Sequence, residues 1–262
     1  MDKLQAAAWG LALAGALALP TWAASVARRD ASLADRFWAA FIAAPALLYA
    51  WLLGSDARLS VMLAILIAWA LRLTAYISHR NWGHGEDRRY QAMRERNQPG
   101  FALKSLWLVF GLQAALAWVV GWPALAAAAH PATWTGWDTL GAALAAAGVL
   151  TEAVADAQLA RFRRDPANRG RVMDRGLWRY SRHPNYFGEA CLWWGLGLMG
   201  LAAGGWGAAW CLVSPLMMTV LLLRVSGVSL LEQDITERRP AYRDYIARTS
   251  AFIPWPPRSG AA

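Results

Sequence analysis

The sequence predicts an all-α integral membrane protein: one membrane domain, 1–262, with seven transmembrane helices and a polar cytoplasmic cap. Three observations carry this expectation. Hydrophobic residues make up 57% of the 262 positions and charged residues only 16%, against about 45–50% and 25% in soluble domains. The apolar residues fall in runs long enough to cross a bilayer, which takes about 20 residues at 1.5 Å rise each. The arginines gather in alternate connections between those runs, as in an oriented membrane protein. Such a composition excludes a disordered chain, a disulfide-stapled secreted scaffold and an ordinary soluble enzyme.

The predicted spans cover 5–27, 33–53, 59–78, 103–128, 137–160, 186–204 and 206–224. They are rich in Ala and Leu and lack the alternation of membrane strands. Met1 to Pro20 is read as a retained first helix, because a single lysine and a loose Ala23-Ala24-Ser25 site make a poor signal peptide. At Gly204-Gly205 a long apolar segment must turn back as a tight pair. Arg28, Arg29 and Arg36 follow the first span, and Arg58, balanced by Asp56, follows the second. The third connection carries Arg80, Arg88, Arg89, Arg94, Arg96 and Lys104, and the fourth carries none. The fifth holds Arg161, Arg163, Arg164, Arg169, Arg171, Arg175, Arg179 and Arg182; the sixth holds none, and the tail is basic. Strict alternation puts the N-terminus outside and the C-terminus inside.

The net charge of +9 sits in those connections, so no nucleic-acid partner is read from it. Cys191 and Cys211 lie in apolar runs, without a disulfide framework. The four histidines have no ligand spacing, and no metal site is expected. The 17 tryptophans are read mainly as interfacial belt and packing residues.

The connections 79–102, 161–185 and 225–262 also carry Asp, Glu, His, Asn and Tyr, which topology does not require. They form either a ligand site over the bundle or a connector satisfying its own backbone. The densest stretch is Arg179-Tyr180-Ser181-Arg182-His183-Pro184-Asn185-Tyr186-Phe187-Gly188-Glu189. Asn185 and Glu189 are four apart on one helical face. A carboxylate entering an apolar helix must be paired, protonated or engaged with a ligand. An amide beside a carboxylate suits a carboxamide; a bridge from Glu189 to a loop arginine is the plainer alternative. Glu152 and Asp156 share a face of the fifth span, followed by Arg161, Arg163 and Arg164. Those guanidinium forks suit phosphates or the protein's own acids equally.

Arg72 and Tyr76 share a face of the third span, with His79 and Arg80 at its inner end. The Gly83-His84-Gly85 turn beyond is no dinucleotide fingerprint, since no strand precedes it. In the tail, Tyr242, Tyr245, Arg248 and the run Phe252 to Pro257 give a stiff aromatic end. It would clamp a planar ring or lie along the membrane. Within the second span, the stretch from Phe37 to Pro45 has no polar side chain. It can line an apolar pocket but supplies no acid or base.

The Arg72-to-Tyr90 segment, the Arg179-to-Glu189 run and the Tyr242-to-Pro257 tail resemble the membrane-bound steroid 5-alpha-reductase superfamily. The resemblance is strongest to its bacterial branch of uncharacterised proteins and covers nearly all the chain after the first span or two. Isoprenylcysteine carboxyl methyltransferases share part of the pattern, Arg-His-Pro-x-Tyr-x-Gly. The resemblance implies a seven-helix bundle in the bacterial inner membrane, with NADPH in a cavity facing the cytoplasm. Asn185 and Glu189 then match the residues contacting the nicotinamide carboxamide, and Asp156 and Arg163 those at the adenosine and phosphate part. Glu152 stands where the animal enzymes have Asn. Arg72 and Tyr76 match a cofactor-binding pair on the third helix, and Glu232 falls near a tail position of the site. Arg80, Tyr180, Arg182, His183 and Tyr245 complete the expected cofactor contacts.

The implied reaction is NADPH-dependent reduction of the carbon–carbon double bond of an apolar enone, a 4-ene-3-ketosteroid or steroid-like lipid entering from the bilayer. Residues 1–128 would form the apolar substrate side, with Trp38, Phe41 and Trp69 in its pocket. Residues 137–262 would form the main cofactor side. No catalytic acid is assigned, because the Gln-Glu pair of the animal enzymes' second helix has no counterpart and their third-helix Tyr falls near Trp69. No obligate protein partner is expected, only membrane lipids. The alternative is a methyltransferase using S-adenosylmethionine on a lipid or prenylated thiol, with His183 and Glu232 at that cofactor. The many arginines suit a phosphate-rich dinucleotide better. A transporter or scaffold is disfavoured by the lack of discontinuous helices in two matching halves.

Overall fold

Capping chemistry starts several of the helices. In the computed structural model, which describes residues 1–225, 227–232 and 235–258, the Asp2 carboxylate accepts the Gln5 N–H at 2.8 Å. The Gln5 side chain accepts the Asp2 N–H in return, closing a capping box ahead of α1 (Lys3–Arg28). α2 (Leu33–Leu53) carries Asp35 in its first turn, where a carboxylate complements the helix dipole. Asp56 opens α3 (Ala57–Arg80) by accepting the Leu59 N–H at 2.8 Å, and Asp87 opens the short α4 (Arg88–Arg96) in the same way.

α5 (Phe101–Ser105), a π-helical stretch (Leu106–Gly111) and α6 (Leu112–Val120) make one continuous apolar rod. α7 (Trp122–Ala129), α8 (Gly136–Arg164) and α9 (Pro184–Gly204) follow, then a 3-10 segment (Gly205–Leu212), α10 (Val213–Val220) and a π-helical turn (Leu221–Val225). The tail holds α11 (Val228–Glu232), α12 (Ile235–Arg238) and α13 (Tyr242–Arg248). No strand occurs among the described residues.

Among the described residues six stretches are long and apolar enough to cross a membrane: Lys3–Arg28, Leu33–Leu53, Ala57–Arg80, Phe101–Val120, Gly136–Arg164 and Pro184–Val225. The chain is an integral membrane protein. Two of the expected bounds change. The fourth span stops at Val120, because the helix ends at Gly121 and a separate helix, α7, starts at Trp122 with Pro123 in its first turn. The last two expected spans form one helical stretch of 42 residues, and that stretch turns back on itself. Gly205 adopts φ 56°, Trp194 Nε1 donates to Thr219 Oγ1 at 3.2 Å, and Cys211 Sγ donates to the Gly197 carbonyl at 3.6 Å. A straight helix would hold Trp194 and Thr219 about 37 Å apart.

The chain divides into two compact units, 1–138 with 197–214, and 139–196 with 215–262. In the first, α1 presents Ala6, Gly10, Ala14 and Ala18, four residues apart, as a buried edge. Small side chains let a neighbour come close: a Cβ on Gly10 would lie 2.1 Å from the Tyr49 hydroxyl of α2. Phe41 and Trp69, two of the three expected pocket residues, are fully buried in this core; Trp38 is half-buried. Trp51, Leu71 and Trp206 point outward, as a lipid-facing surface requires.

Two polar clusters in this unit depart from expectation. The second helix does carry an acid. Asp35 accepts from Arg89 at 2.7 Å and from the Tyr90 hydroxyl at 2.6 Å, and the Gln113 amide donates to Tyr90 at 3.1 Å. Burial, with the charge of Asp35, pushes the Tyr90 phenol well up, so it stays protonated. Arg58 is not balanced chiefly by Asp56, which lies 3.9 Å away, but by Asp138 at 2.5 Å.

In the second unit the backbones of α8 and α9 touch. A Cβ on Gly148 would lie 2.5 Å from the Gly188 carbonyl oxygen, and one on Gly188 would lie 2.6 Å from the Gly148 carbonyl oxygen. Two helical turns further on, a Cβ on Gly195 would lie 2.5 Å from the Gly141 carbonyl oxygen. Helices approach this closely in membranes when small residues remove the side chains between them.

Candidate functional site

The glycine contact sets the geometry of the densest polar site. Pro184 begins α9, a position where its missing N–H is no loss. Asn185 and Glu189 then lie on one face, with Gly188 pressed against α8. A Cβ on Gly188 would meet the Glu152 backbone nitrogen at 2.7 Å, so the start of α9 lies directly on the Glu152 turn. Glu152, Asp156 and Glu189 are only 3%, 4% and 8% exposed. Asn185 Nδ2 donates to Asp156 Oδ1 at 3.2 Å. The Asn185 carbonyl oxygen is buried and has no hydrogen-bond partner among the described residues, a state that costs about 1–3 kcal/mol. Arg161, Arg163 and Arg164 stand exposed in the last turn of α8, where cations complement the helix dipole.

A second cluster braces the loop ahead of α9. Arg182 Nε and Nη2 donate to the two Glu232 oxygens, each at 2.8 Å. Its Nη1 donates to the Thr249 carbonyl at 2.6 Å and the Ile246 carbonyl at 3.3 Å. Four of its five N–H groups are thereby engaged within the chain. His183 Nε2 lies 2.9 Å from Glu232 Oε1, and its ring stacks on Tyr186 at 5.5 Å. Burial pushes the Glu232 carboxyl up, but hydrogen bonds from His183 and Arg182 and the guanidinium charge outweigh it and hold the group down at about 2. Burial, reinforced by Glu232, pushes the nearby Tyr242 phenol up to about 12.

The tail completes the brace. The Arg182 N–H donates to the Ser250 carbonyl at 2.8 Å, and the Trp255 N–H to the Tyr180 carbonyl at 2.9 Å. Ser181 Oγ donates to the Phe252 carbonyl at 2.8 Å, and Phe252 packs edge-on against Phe187. The Tyr245 hydroxyl donates to the Trp178 carbonyl, while the Trp178 indole donates to the Ala155 carbonyl of α8 at 3.0 Å. Tyr245 is therefore a buried strut, whereas Tyr180 is exposed.

The second unit thus brings together Glu152, Asp156, Asn185 and Glu189 and, separately, Arg182, His183 and Glu232. Arg72, Tyr76 and Arg80 belong to the first unit. They follow one another on a face of α3, with the Arg80 guanidinium 5.9 Å from the centre of the Tyr76 ring. The Asp35, Tyr90 and Gln113 cluster escaped the sequence reading, although the Glu86-Asp87-Arg88-Arg89-Tyr90 run was visible there as an unusually polar connection. Among the described residues no three His, Cys, Asp or Glu side chains are grouped to hold a metal ion.

Comparison with known proteins covers most of the chain. An uncharacterized protein of Schizosaccharomyces pombe, C594.04c, is 26% identical over 273 residues, covering 94% of this chain and 78% of that protein. No solved structure gives a significant match. A family profile described as a protein of unknown function, DUF1295, matches residues 21–249. That match takes in the α8–α9 pair, the Arg182–His183–Glu232 cluster and the α3 face, and the chain belongs to the DUF1295 family.

Proposed function

We propose that this protein is an NADPH-dependent reductase of the steroid 5-alpha-reductase type. It would reduce the carbon–carbon double bond of an apolar enone, a 4-ene-3-ketosteroid or similar lipid, drawn from the bilayer. The observation that carries this reading is Asn185. Its amide N–H groups face Asp156 while its carbonyl oxygen is buried without a partner among the described residues. A carboxamide NH2 satisfies that oxygen, and the Glu189 carboxyl one turn along accepts the second N–H. A nicotinamide carboxamide fits this donor and acceptor set. The exposed arginines ending α8 suit the phosphates of the same ligand.

NADPH, when bound, supplies the hydride for the enone's β-carbon, and a proton completes the reduction at the α-carbon. The chain's own contribution is orientation. Asn185 and Glu189 hold the carboxamide so that one ring face is presented, and the Gly148–Gly188 contact fixes both residues against Asp156 and Glu152. Holding reactants in one geometry is a large share of catalysis. DUF1295 includes steroid 5-alpha-reductase-like membrane proteins, which supports the class.

The same proposal places the protein in a bacterial inner membrane with the site facing the cytoplasm. The two arms of Pro184–Val225 would each cross the bilayer, giving seven crossings, an outside N-terminus and an inside C-terminus. The arginine-rich connections support that orientation.

One observation favours a second reading, an S-adenosylmethionine-dependent methyltransferase acting on a lipid or prenylated thiol. His183, within the Arg-His-Pro motif common to both enzyme classes, meets Glu232 at 2.9 Å. Binding of NADPH, NADH and S-adenosylmethionine to the detergent-purified full chain separates the two. Selective NADPH binding, sharply weakened in Glu189→Ala, supports the reductase. S-adenosylmethionine binding without NADPH binding overturns it.

A further inference from the structure

A second polar site lies in the first unit, at the end of the bundle that carries Arg28, Arg29 and Arg36. There a cavity of about 290 Å³ opens between the C-terminal end of α1 and the start of α5, lined by Ser25, Val26, Arg29, Arg94, Phe101 and Ser105 among others. Its two walls are tied together, because the Trp22 indole of α1 donates to the Ala102 carbonyl of α5 at 2.8 Å. Both charged side chains lining it are arginines.

Their partners differ. Arg94 Nε and Nη2 fork onto Glu86 at 2.9 and 2.7 Å, and its guanidinium lies 4.7 Å from the centre of the Phe101 ring. This leaves Nη1 without a protein acceptor among the described residues. The Arg29 side chain makes no hydrogen bond or ion pair among the described residues. Nearby Asp30 lies 3.6 Å from Arg36. Glu86 offsets Arg94 and Arg36 offsets Asp30, so the surplus positive charge at the cavity is that of Arg29.

The backbone adds an independent observation. Arg29 has φ 52° and is the one non-glycine residue with a positive φ among the described residues. It occupies the left-handed cap of α1, a position where glycine is the usual residue and a larger side chain is strained. Strained backbone persists at sites where the side chain is used. Orientation in the membrane does not require it, since Arg28 supplies the same charge from an ordinary helical position.

We infer that this cavity binds a phosphate-bearing anion through Arg29 and the outer edge of Arg94. Guanidinium groups pair with phosphate by charge-assisted hydrogen bonds. Val26, which lines the cavity, is exposed, as are Leu103 and Trp107 on the helical rod that carries the lining residues Phe101 and Ser105. Such apolar side chains suit an acyl chain when the phosphate is that of a phospholipid. The site is separate from the residues assigned to NADPH and does not depend on that reading.

The test uses the full-length protein, delipidated in neutral detergent, with thermal unfolding as the readout. Additions are phosphatidylglycerol in mixed micelles, phosphatidylcholine at equal concentration, and soluble glycerol 3-phosphate. Stabilisation by phosphatidylglycerol but not glycerol 3-phosphate supports a phospholipid headgroup; stabilisation by both supports a soluble phosphate ligand.

In Arg29→Gly the apparent affinity for the stabilising anion falls about tenfold or more. The unliganded variant stays folded, because glycine suits the left-handed cap. Arg28→Gln keeps the wild-type response. No stabilisation by either anion, an equal response to phosphatidylcholine, or equal weakening by Arg28→Gln overturns the assignment.

Discussion

Arg58 and Asp138, 80 residues apart, form a forked ion pair in the first unit, with Nε to Oδ1 at 2.5 Å and Nη2 to Oδ2 at 2.9 Å. Arg58 is 1% exposed and Asp138 0%. The remaining valences are filled as well. Thr135 donates its N–H and hydroxyl to Asp138 at 2.7 and 2.8 Å, and Arg58 reaches the Thr133 carbonyl at 3.0 Å. With the Thr133 and Thr135 contacts, the pair ties the start of α3 to residues 133–138. Removing one partner strands a buried charge, so Asp138→Leu should destabilise the protein by about 3–5 kcal/mol. The double variant Arg58→Met with Asp138→Leu should recover much of that loss. Thermal unfolding of the three proteins in one detergent measures it.

The α8–α9 contact leaves no room for a side chain. Gly148→Leu and Gly188→Leu must force the helices apart, which costs more than about 2 kcal/mol. Gly15→Leu is the matched control, since nothing lies within 4 Å of a Cβ there. The first two should lower the yield of folded protein and any nucleotide binding together, while the control changes neither. Size-exclusion profiles with a binding titration would decide.

Acid should loosen the brace at Arg182. The Glu232 carboxyl is held at about 2 instead of its ordinary 4.5, so its contribution is complete above about 4.5 and is lost as the pH falls through about 2. Glu232→Gln should remove this pH dependence and lower stability at neutral pH, because Arg182 keeps its burial without its carboxylate. Unfolding midpoints measured from pH 7 down to 2 test both statements.

Deleting residues 250–262 removes the bonds that Arg182, Ser181 and Tyr180 make to the tail. Trypsin should then cut at Arg182, which is 7% exposed in the intact chain. Arg179, already exposed, should be cut in both. Mass spectrometry of timed digests reads the difference.

The residues that sequence exposed most clearly were those linked by local geometry. Asn185 with Glu189, and Glu152 with Asp156, are one helical turn apart, so their shared faces follow from spacing alone. The reversal at Gly204-Gly205 was legible because the apolar run is too long for one crossing. Long-range pairing was not. Nothing near Arg58 points to Asp138 rather than to adjacent Asp56, and nothing near Arg182 gives the register of Glu232, 50 residues on. Asp35 was overlooked, although it lies inside the expected 33–53 span, because it precedes the apolar Phe37-to-Pro45 stretch from which the lack of an acid was read. Gly148 and Gly188 were two among 22 glycines, since the register between packed helices is not written locally. The Gly121 break was hidden because the residues on either side of it are equally apolar.

The tail's embrace of the Tyr180–His183 loop also orders events in time. Ser181 is bound by a residue 71 positions later, and Arg182 by one 67 positions later. During synthesis the α8–α9 pair can enter the membrane and close its glycine seam while the loop that opens α9 still lacks its anchors. The carboxyl and amide groups meet early; the rigidity that aligns them arrives late. A ribosome stalled between these two stages would release an inserted but unfinished protein, with its most polar loop open to quality-control proteases.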